Sequence, residues 1–192
     1  AGSVGAQLYP GVAELLFGAS SEELAGRHTP LEDLWGAHAG LALEQLQGVA
    51  TPQARLGLLE ALLAARLPAV RALHPAVAQA LQQIGGPLRV EALVRQSGYS
   101  HRQFVALFKR AVGLSPKVYG RVLRFQSVLY QAHGLALSSE PVRWAELALD
   151  AGFSDQAHFN REFRAMAGVT PEAYRRQAPA HANHLALRRE GR

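Results

Sequence analysis

A short stretch in the C-terminal half carries several side chains of the kinds that hydrogen-bond to heterocyclic bases. It holds, within six residues, Gln156, His158, Asn160 and Arg161. Amides can bond adenine through two hydrogen bonds, and a guanidinium can do the same with guanine. The chemistry that these residue types offer is recognition of a base edge.

The same region occurs twice, because the stretch belongs to an imperfect internal repeat. The first copy, GYSHRQFVALFKRAVGLSP, begins at Gly98, and the second, GFSDQAHFNREFRAMAGVTP, begins at Gly152 with one extra residue at its turn. In the first copy the outward positions are His101, Arg102 and Val105. A long-period repeat indicates repeated structural units.

Each copy predicts a helix-turn-helix, in which one helix braces a second that presents side chains to the major groove. In the first copy the helices are predicted at 89–97 and from a Ser100 cap to residue 112. In the second copy they are predicted at 142–151 and 155–167. The predicted buried face of the second helices comprises Phe104, Leu107, Phe108, Phe159, Phe163 and Met166.

Further helices are predicted around the repeat, and nothing in the sequence indicates a strand. A long helix over 116–133, with an apolar stripe at Val118, Val122, Phe125 and Leu129, would join the two copies and fix their separation. A short helix at 171–177 ends the pattern. The predicted fold is therefore all-α, with two helix-turn-helix subdomains, a linker helix and a preceding helical region.

The N-terminal part shows helical periodicity from Leu31 onward. Thr51 and Pro52 predict a helix start. The helix that follows carries a stripe of leucines, namely Leu56, Leu59, Leu63 and Leu67. Burial within the chain is the commoner fate of such a stripe, and pairing with a partner helix is the alternative. The predicted domains are 1–74, 75–178 and a basic tail at 179–192 without fixed order.

Charge separates the two halves of the chain. Residues 1–75 have four Arg against seven Asp and Glu, and the remainder carries the other 16 basic residues against eight acidic ones. A basic segment that contains the repeat suits a polyanionic partner. The predicted phosphate contacts are Ser100, Lys109, Arg110, Lys117, Arg121, Ser154, Arg164, Arg175 and Arg176.

Other functions have little support in the sequence. There is no cysteine, no phosphate-binding glycine loop, and no stretch near the roughly 18 apolar residues of a membrane span. The first residues lack the pattern of a signal peptide. The histidines show no ligand spacing backed by carboxylates, and a weak metal site at His181 and His184 is a minor alternative. We therefore expect that the protein is not an enzyme and that it binds neither a metal nor a cofactor.

The two repeat copies resemble the AraC/XylS-type transcription regulators over about residues 76–178. The resemblance implies seven helices and two helix-turn-helix subdomains that bind successive major-groove segments. The first copy departs at Val105 and Ala106, where the family often has polar or basic residues. Residues 24–36 resemble, more weakly, the helical end of a sensor domain.

The sequence therefore predicts a DNA-binding transcription regulator that acts in the cytoplasm, and the direction of regulation stays open between activation and repression. The expected partner is double-stranded DNA. RNA polymerase, a small-molecule effector of a sensor domain mostly absent here, and a second copy of the chain are candidate partners. The alternative function is a helical interaction or dimerisation module without specific DNA binding.

Overall fold

The computed structural model describes residues 3–67, 73–84, 89–137 and 141–177. In these ranges all regular structure is helical and no strand occurs, which confirms the predicted all-α class. The helices of the described residues are α1 (Val12–Phe17), α2 (Ser21–Leu24), α3 (Leu31–Trp35), α4 (Ala37–Gly48), α5 (Pro52–Ala64), α6 (Pro75–Gln83), α7 (Val90–Ser97), α8 (His101–Val112), α9 (Pro116–Leu137), α10 (Trp144–Asp150), α11 (Gln156–Ala167) and α12 (Pro171–Gln177).

Side-chain caps set the starts of three helices where the sequence predicted them. Thr51 accepts a hydrogen bond from the backbone N–H of Ala54 at the start of α5. Ser100 and Gln103 form a reciprocal capping box at the start of α8. Ser115 accepts from the N–H of Val118 at the start of α9. Each bond satisfies a backbone donor that has no partner within its helix.

The chain forms two compact units, residues 1–118 and residues 119–192. In the first unit, α6, α7 and α8 contact one another, and the side chains of Phe104 and Phe108 are fully buried. Helices α1 and α2 also contact α8. A smaller cluster lies at Trp35, where α3 and α4 meet. The first helix-turn-helix thus has its own core.

The leucine stripe of α5 is not buried as the spacing predicted. Leu56 and Leu67 are 51% and 46% exposed, and no side chain of α5 is fully buried. The leucines that pack against the Trp35 cluster are Leu62 and Leu63. Burial of the whole stripe was therefore a wrong prediction, because only the part of α5 at Leu62 and Leu63 packs against this cluster, whereas Leu56 lies two turns before Leu63 and Leu67 lies beyond the end of the helix.

The second unit packs around aromatic rings. Phe159 and Phe163 are fully buried, and Trp144 packs against both, with ring centroids 6.0 and 5.7 Å away. Tyr174 of α12 meets Phe163 edge-on at 5.7 Å. Pairs of this kind stabilise beyond simple apolar burial. The prediction that these phenylalanines form core is confirmed.

Two details of the long helix differ from the prediction. It continues to Leu137 instead of ending near His133. Val118, at the N-terminal end of the predicted stripe, is 37% exposed, and Val128 is fully buried instead. An exact spacing of three or four residues drifts around a helix, so one straight stripe does not describe 22 residues. Leu107 and Met166, predicted as buried, are half-buried.

The predicted domain boundaries at 74/75 and 178/179 stay predictions. The division between the two compact units lies within α9, between the two helix-turn-helix repeats. The tail at 179–192, with His181 and His184, lies outside the described residues.

Candidate nucleic-acid interface

The first helix-turn-helix consists of α7, a turn at Gly98 and α8. Gly98 has a φ of 73°, a left-handed conformation that suits glycine. His101 and Arg102 are exposed in the first turn of α8, whereas Val105 is half-buried. The N-terminal residues of such a helix are the ones that meet base edges. His101 and Arg102 are therefore in place for that role, and Val105 offers less exposed surface.

The last turn of α8 carries two predicted phosphate contacts that are already paired with carboxylates. Nε of Arg110 donates to Oε1 of Glu14 at 2.7 Å, and Nζ of Lys109 lies 3.4 Å from Oε1 of Glu22. The hydrogen bond that Arg110 donates to Glu14 raises the pKa of Arg110. Acidic residues of α1 and α2 thus occupy the positions where DNA phosphates were predicted.

A buried contact holds α2 beside these ion pairs. Oγ of Ser21 donates to the carbonyl oxygen of Ala111 at 2.7 Å. Gly113, just beyond α8, approaches closely, since a Cβ added there would lie 2.7 Å from the Ser21 carbonyl oxygen. Glu14, Ser21 and Glu22 were not among the site residues predicted from the sequence. The acidic character of residues 1–75 was the available signal, but it does not indicate which residues pair.

The second helix-turn-helix consists of α10, a turn at Gly152 and α11. Gln156, Asn160 and Arg161 are exposed along α11, whose Phe159 and Phe163 are buried. Their amide and guanidinium groups can reach a ligand without unpacking the core. These three of the predicted base-reading positions are therefore accessible, Gln156 at the start of the helix and the other two about one turn further on.

The extra residue at the turn of the second copy changes which side chain caps the helix. Asp155 caps α11, because its Oδ1 accepts from the backbone N–H of His158 at 2.7 Å. Ser154, which aligns with the capping Ser100, bonds instead to Oδ2 of Asp155 at 3.0 Å. The hydrogen bonds from His158 and then from Ser154 lower the pKa of Asp155.

Arg121 and Glu162 connect α9 to α11 within the second unit. Nε of Arg121 donates to Oε2 of Glu162 at 2.6 Å, and both side chains are mostly buried. Arg121 was predicted to contact phosphate, which stays a prediction, and in the structure it braces α11 through this ion pair. Glu162 was not among the site residues predicted from the sequence.

The remaining predicted phosphate contacts lie on the surface. Arg175 is paired with Glu172 at 2.6 Å in α12. The side chains of Lys117, Arg164 and Arg176 are exposed. Ser100 is engaged in its capping box, where Oγ lies 2.7 Å from Oε1 of Gln103. The roles of these residues toward DNA stay predictions.

Two absences hold for the part of the chain that the structure describes. No group of three or more His, Asp or Glu side chains is placed to hold a metal ion there. No helix in these ranges combines the length and apolar character needed to cross a bilayer.

Comparison with known proteins identifies the domain that contains both repeats. Residues 93–177 match the model of a family described as a helix-turn-helix domain. The HTH-type transcriptional regulator MtrA of Neisseria gonorrhoeae is 31% identical over 88 residues, which cover 46% of this chain and 28% of MtrA. The regulatory protein SoxS of Escherichia coli K12 is 28% identical over 94 residues, which cover 49% of this chain and 83% of SoxS.

A solved structure is also similar. It is a probable AraC family transcriptional regulator from Rhodopseudomonas palustris, with a TM-score of 0.45 and 25% identity, and the match covers 55% of this chain and 95% of that one. Several of the curated relatives are much longer than their matched part, and the chain spans about 30% of their length.

Residues 93–177 form a helix-turn-helix domain, the class of module that reads a groove with an exposed helix face. The domain is of the AraC type, which confirms the resemblance found in the two glycine-led repeats.

Proposed function

We propose that this chain is a sequence-specific DNA-binding transcription regulator. Its recognition helices are α8 and α11, which enter two successive segments of the major groove. The observation that carries the proposal is that α11 is anchored by buried rings and still presents exposed polar side chains. Phe159 and Phe163 are fully buried, while Gln156, Asn160 and Arg161 are exposed. The major groove is about 12 Å wide and admits such a helix.

The two recognition helices differ in what they offer. The exposed side chains of α11 include the amides of Gln156 and Asn160 and the guanidinium of Arg161. Each of these groups can discriminate between bases through two hydrogen bonds to one base. Helix α8 offers His101 and Arg102, with the half-buried Val105 and the exposed Ala106 further along. We therefore assign most sequence discrimination to α11 and a larger share of positioning to α8.

The test is selection of bound duplexes from a random pool, followed by a salt titration of the selected site. Six phosphate contacts would give a slope of about −5 in a plot of log affinity against log salt, since each neutralised phosphate contributes about −0.9. An enriched sequence with a steep slope supports the proposal. Equal affinity for every duplex would contradict it.

The proposal assigns the chain a binding role and no catalysis, metal or cofactor, in line with the relatives MtrA and SoxS, which are named as regulators. It places the chain in the cytoplasm, with RNA polymerase as a candidate partner and activation as the direction of regulation. A small-molecule effector would belong to a sensor domain. The result of the duplex selection does not depend on any of these assignments.

A second candidate function is supported by the apolar side chains that α4 and α5 leave exposed. Leu41, Leu43 and Leu56 are each more than half exposed. Paired apolar helix faces are a common basis of dimers. Sedimentation across a range of concentrations distinguishes the two functions, because a pure interaction module would change mass with concentration and would not respond to duplex DNA.

A further inference from the structure

His158 lies in the first turn of α11, and its ring is held from two directions. It meets the ring of Phe153 edge-on, with 5.6 Å between the ring centroids. Its Nδ1 atom lies 3.1 Å from Oγ of Ser154. Phe153 is itself buried in the core of the second unit. The imidazole is therefore oriented by its neighbours and is partly exposed.

The hydrogen bonds around Ser154 determine which ring nitrogen carries the proton. A serine hydroxyl has one hydrogen to donate and two lone pairs. Ser154 donates that hydrogen to Oδ2 of Asp155 at 3.0 Å. The contact between Ser154 and Nδ1 then requires the ring to donate, so Nδ1 of His158 carries hydrogen.

Asp155 keeps Ser154 as the donor in the hydrogen bond between them. Its other oxygen, Oδ1, accepts from the backbone N–H of His158 at 2.7 Å. These two hydrogen bonds lower the pKa of Asp155, with the backbone bond as the larger cause. An ionised carboxylate only accepts hydrogen bonds, so it cannot return a proton to Ser154.

A neutral imidazole carries one N–H, and its other nitrogen is an acceptor. We propose that Ser154 and Asp155 hold His158 as the Nδ1–H tautomer, so that its Nε2 atom accepts a hydrogen bond from the exocyclic amine of adenine or cytosine. This inference rests on the proposed function. In the major groove those amines are donors, whereas N7 and O6 of guanine and O4 of thymine are acceptors. Neutral His158 thus selects amine-bearing bases, and Ser154 is a positioning residue.

The first repeat lacks this arrangement. There Ser100 caps α8 directly, and its hydroxyl bonds to the side chain of Gln103 at 2.7 Å. In the second copy the extra residue at the turn puts Asp155 at the cap and Ser154 beside the ring of His158, which stands where the first copy has Gln103. The amine preference is therefore expected in the half of the site that α11 reads.

The tautomer is measured first, in the DNA-free 192-residue chain. Long-range ¹H–¹⁵N spectra at about pH 8, where free imidazole is neutral, report which ring nitrogen is protonated. We expect a protonated Nδ1 and a bare Nε2 for His158. Ser154→Thr, which keeps the hydroxyl, should retain this pattern, and Ser154→Ala should lose it. An Nε2–H tautomer in the unaltered chain would overturn the inference, whatever the protein does with DNA.

The base preference is measured next on the selected duplex. The base pair read by His158 is the one at which His158→Ala loses discrimination. Replacing its adenine by purine, or its cytosine by 2-pyrimidinone, removes only the amine. We expect binding to weaken about twofold to tenfold, the worth of one hydrogen bond. Ser154→Ala should show no such difference between amine and analogue, and Ser154→Thr should restore it.

Other outcomes would contradict the inference. Unchanged affinity of the unaltered chain for the duplex that carries purine or 2-pyrimidinone would show that His158 does not accept a hydrogen bond from the amine. If Ser154→Ala weakens binding to all sequences equally, Ser154 contacts phosphate, as predicted from the sequence, and does not position His158. If no duplex is enriched at all, the proposed function fails and the amine preference fails with it, while the tautomer result still stands as a separate finding.

Discussion

Arg110 and Glu14, 96 residues apart in the sequence, form an ion pair 2.7 Å long at the C-terminal end of α8. With the pair of Lys109 and Glu22, it places two carboxylates where the sequence predicted phosphates. A surface ion pair contributes little stability in water, so a DNA phosphate can compete with either carboxylate.

This competition predicts that removing the carboxylates strengthens DNA binding. The double variant Glu14→Gln and Glu22→Gln should bind the selected duplex about twofold to fivefold more tightly, as loss of weak surface pairs allows. Titration by fluorescence anisotropy at fixed salt measures the change. The matched control replaces Glu44 and Glu60, exposed acids of α4 and α5. Equal gains in DNA affinity in the two double variants would mean that net charge, and not the two ion pairs, causes the effect.

The exposed side of α11 predicts position-specific losses. Gln156→Ala or Arg161→Ala should cost about 1–3 kcal/mol and relax preference at one base pair. The matched control is Arg164→Ala, an exposed residue of the same helix assigned to phosphate. It should weaken all sequences alike. A uniform loss in Gln156→Ala would remove that residue from the base-reading set.

The contact between Arg121 and Glu162 predicts a loss of stability. Arg121→Met leaves a mostly buried carboxylate without its partner, which should cost about 1–3 kcal/mol. Thermal unfolding measures the change. Arg143 and Glu146 form a matched exposed pair, with side chains 70% and 63% exposed, and Arg143→Met should cost less than about 0.5 kcal/mol. Similar losses in both variants would mean that the contact does not brace α11.

The Asp155 cap predicts a dependence of stability on pH. Its pKa in the folded chain is lowered from an ordinary value of 3.8, so its contribution is complete above that value. The contribution is lost as the pH falls through the folded pKa. Asp155→Asn keeps a capping oxygen and does not titrate. Acid unfolding should therefore be less steep in Asp155→Asn below about pH 4. Unchanged steepness would contradict the lowered pKa.

Local patterns in the sequence were enough to predict the helix starts and the aromatic core. Thr51 and Ser100 cap as predicted because an N-cap needs only neighbouring residues. Phe159 and Phe163 are buried because their spacing puts both on one side of α11. The contact between Ser154 and His158 was not predicted, since it depends on the extra residue at the turn, which gives the cap to Asp155.

Contacts between distant residues had no such local signal. Glu14 and Glu22 lie 96 and 87 residues from their basic partners, and overall charge asymmetry cannot pair them. The exposed leucines of α5 illustrate the same limit. Spacing indicates that Leu56 shares a stripe with Leu63, but the position of α4 decides which of them is covered.

The central claim is that α8 and α11 each read their own segment of one DNA site. The most direct measurement is duplex selection carried out in parallel with the unaltered chain, with Arg102→Ala and with Arg161→Ala. We expect two clusters of preferred base pairs about 10 base pairs apart, with each variant relaxing a different cluster. Relaxation of the same cluster by both variants, or no enriched sequence for the unaltered chain, would contradict the claim.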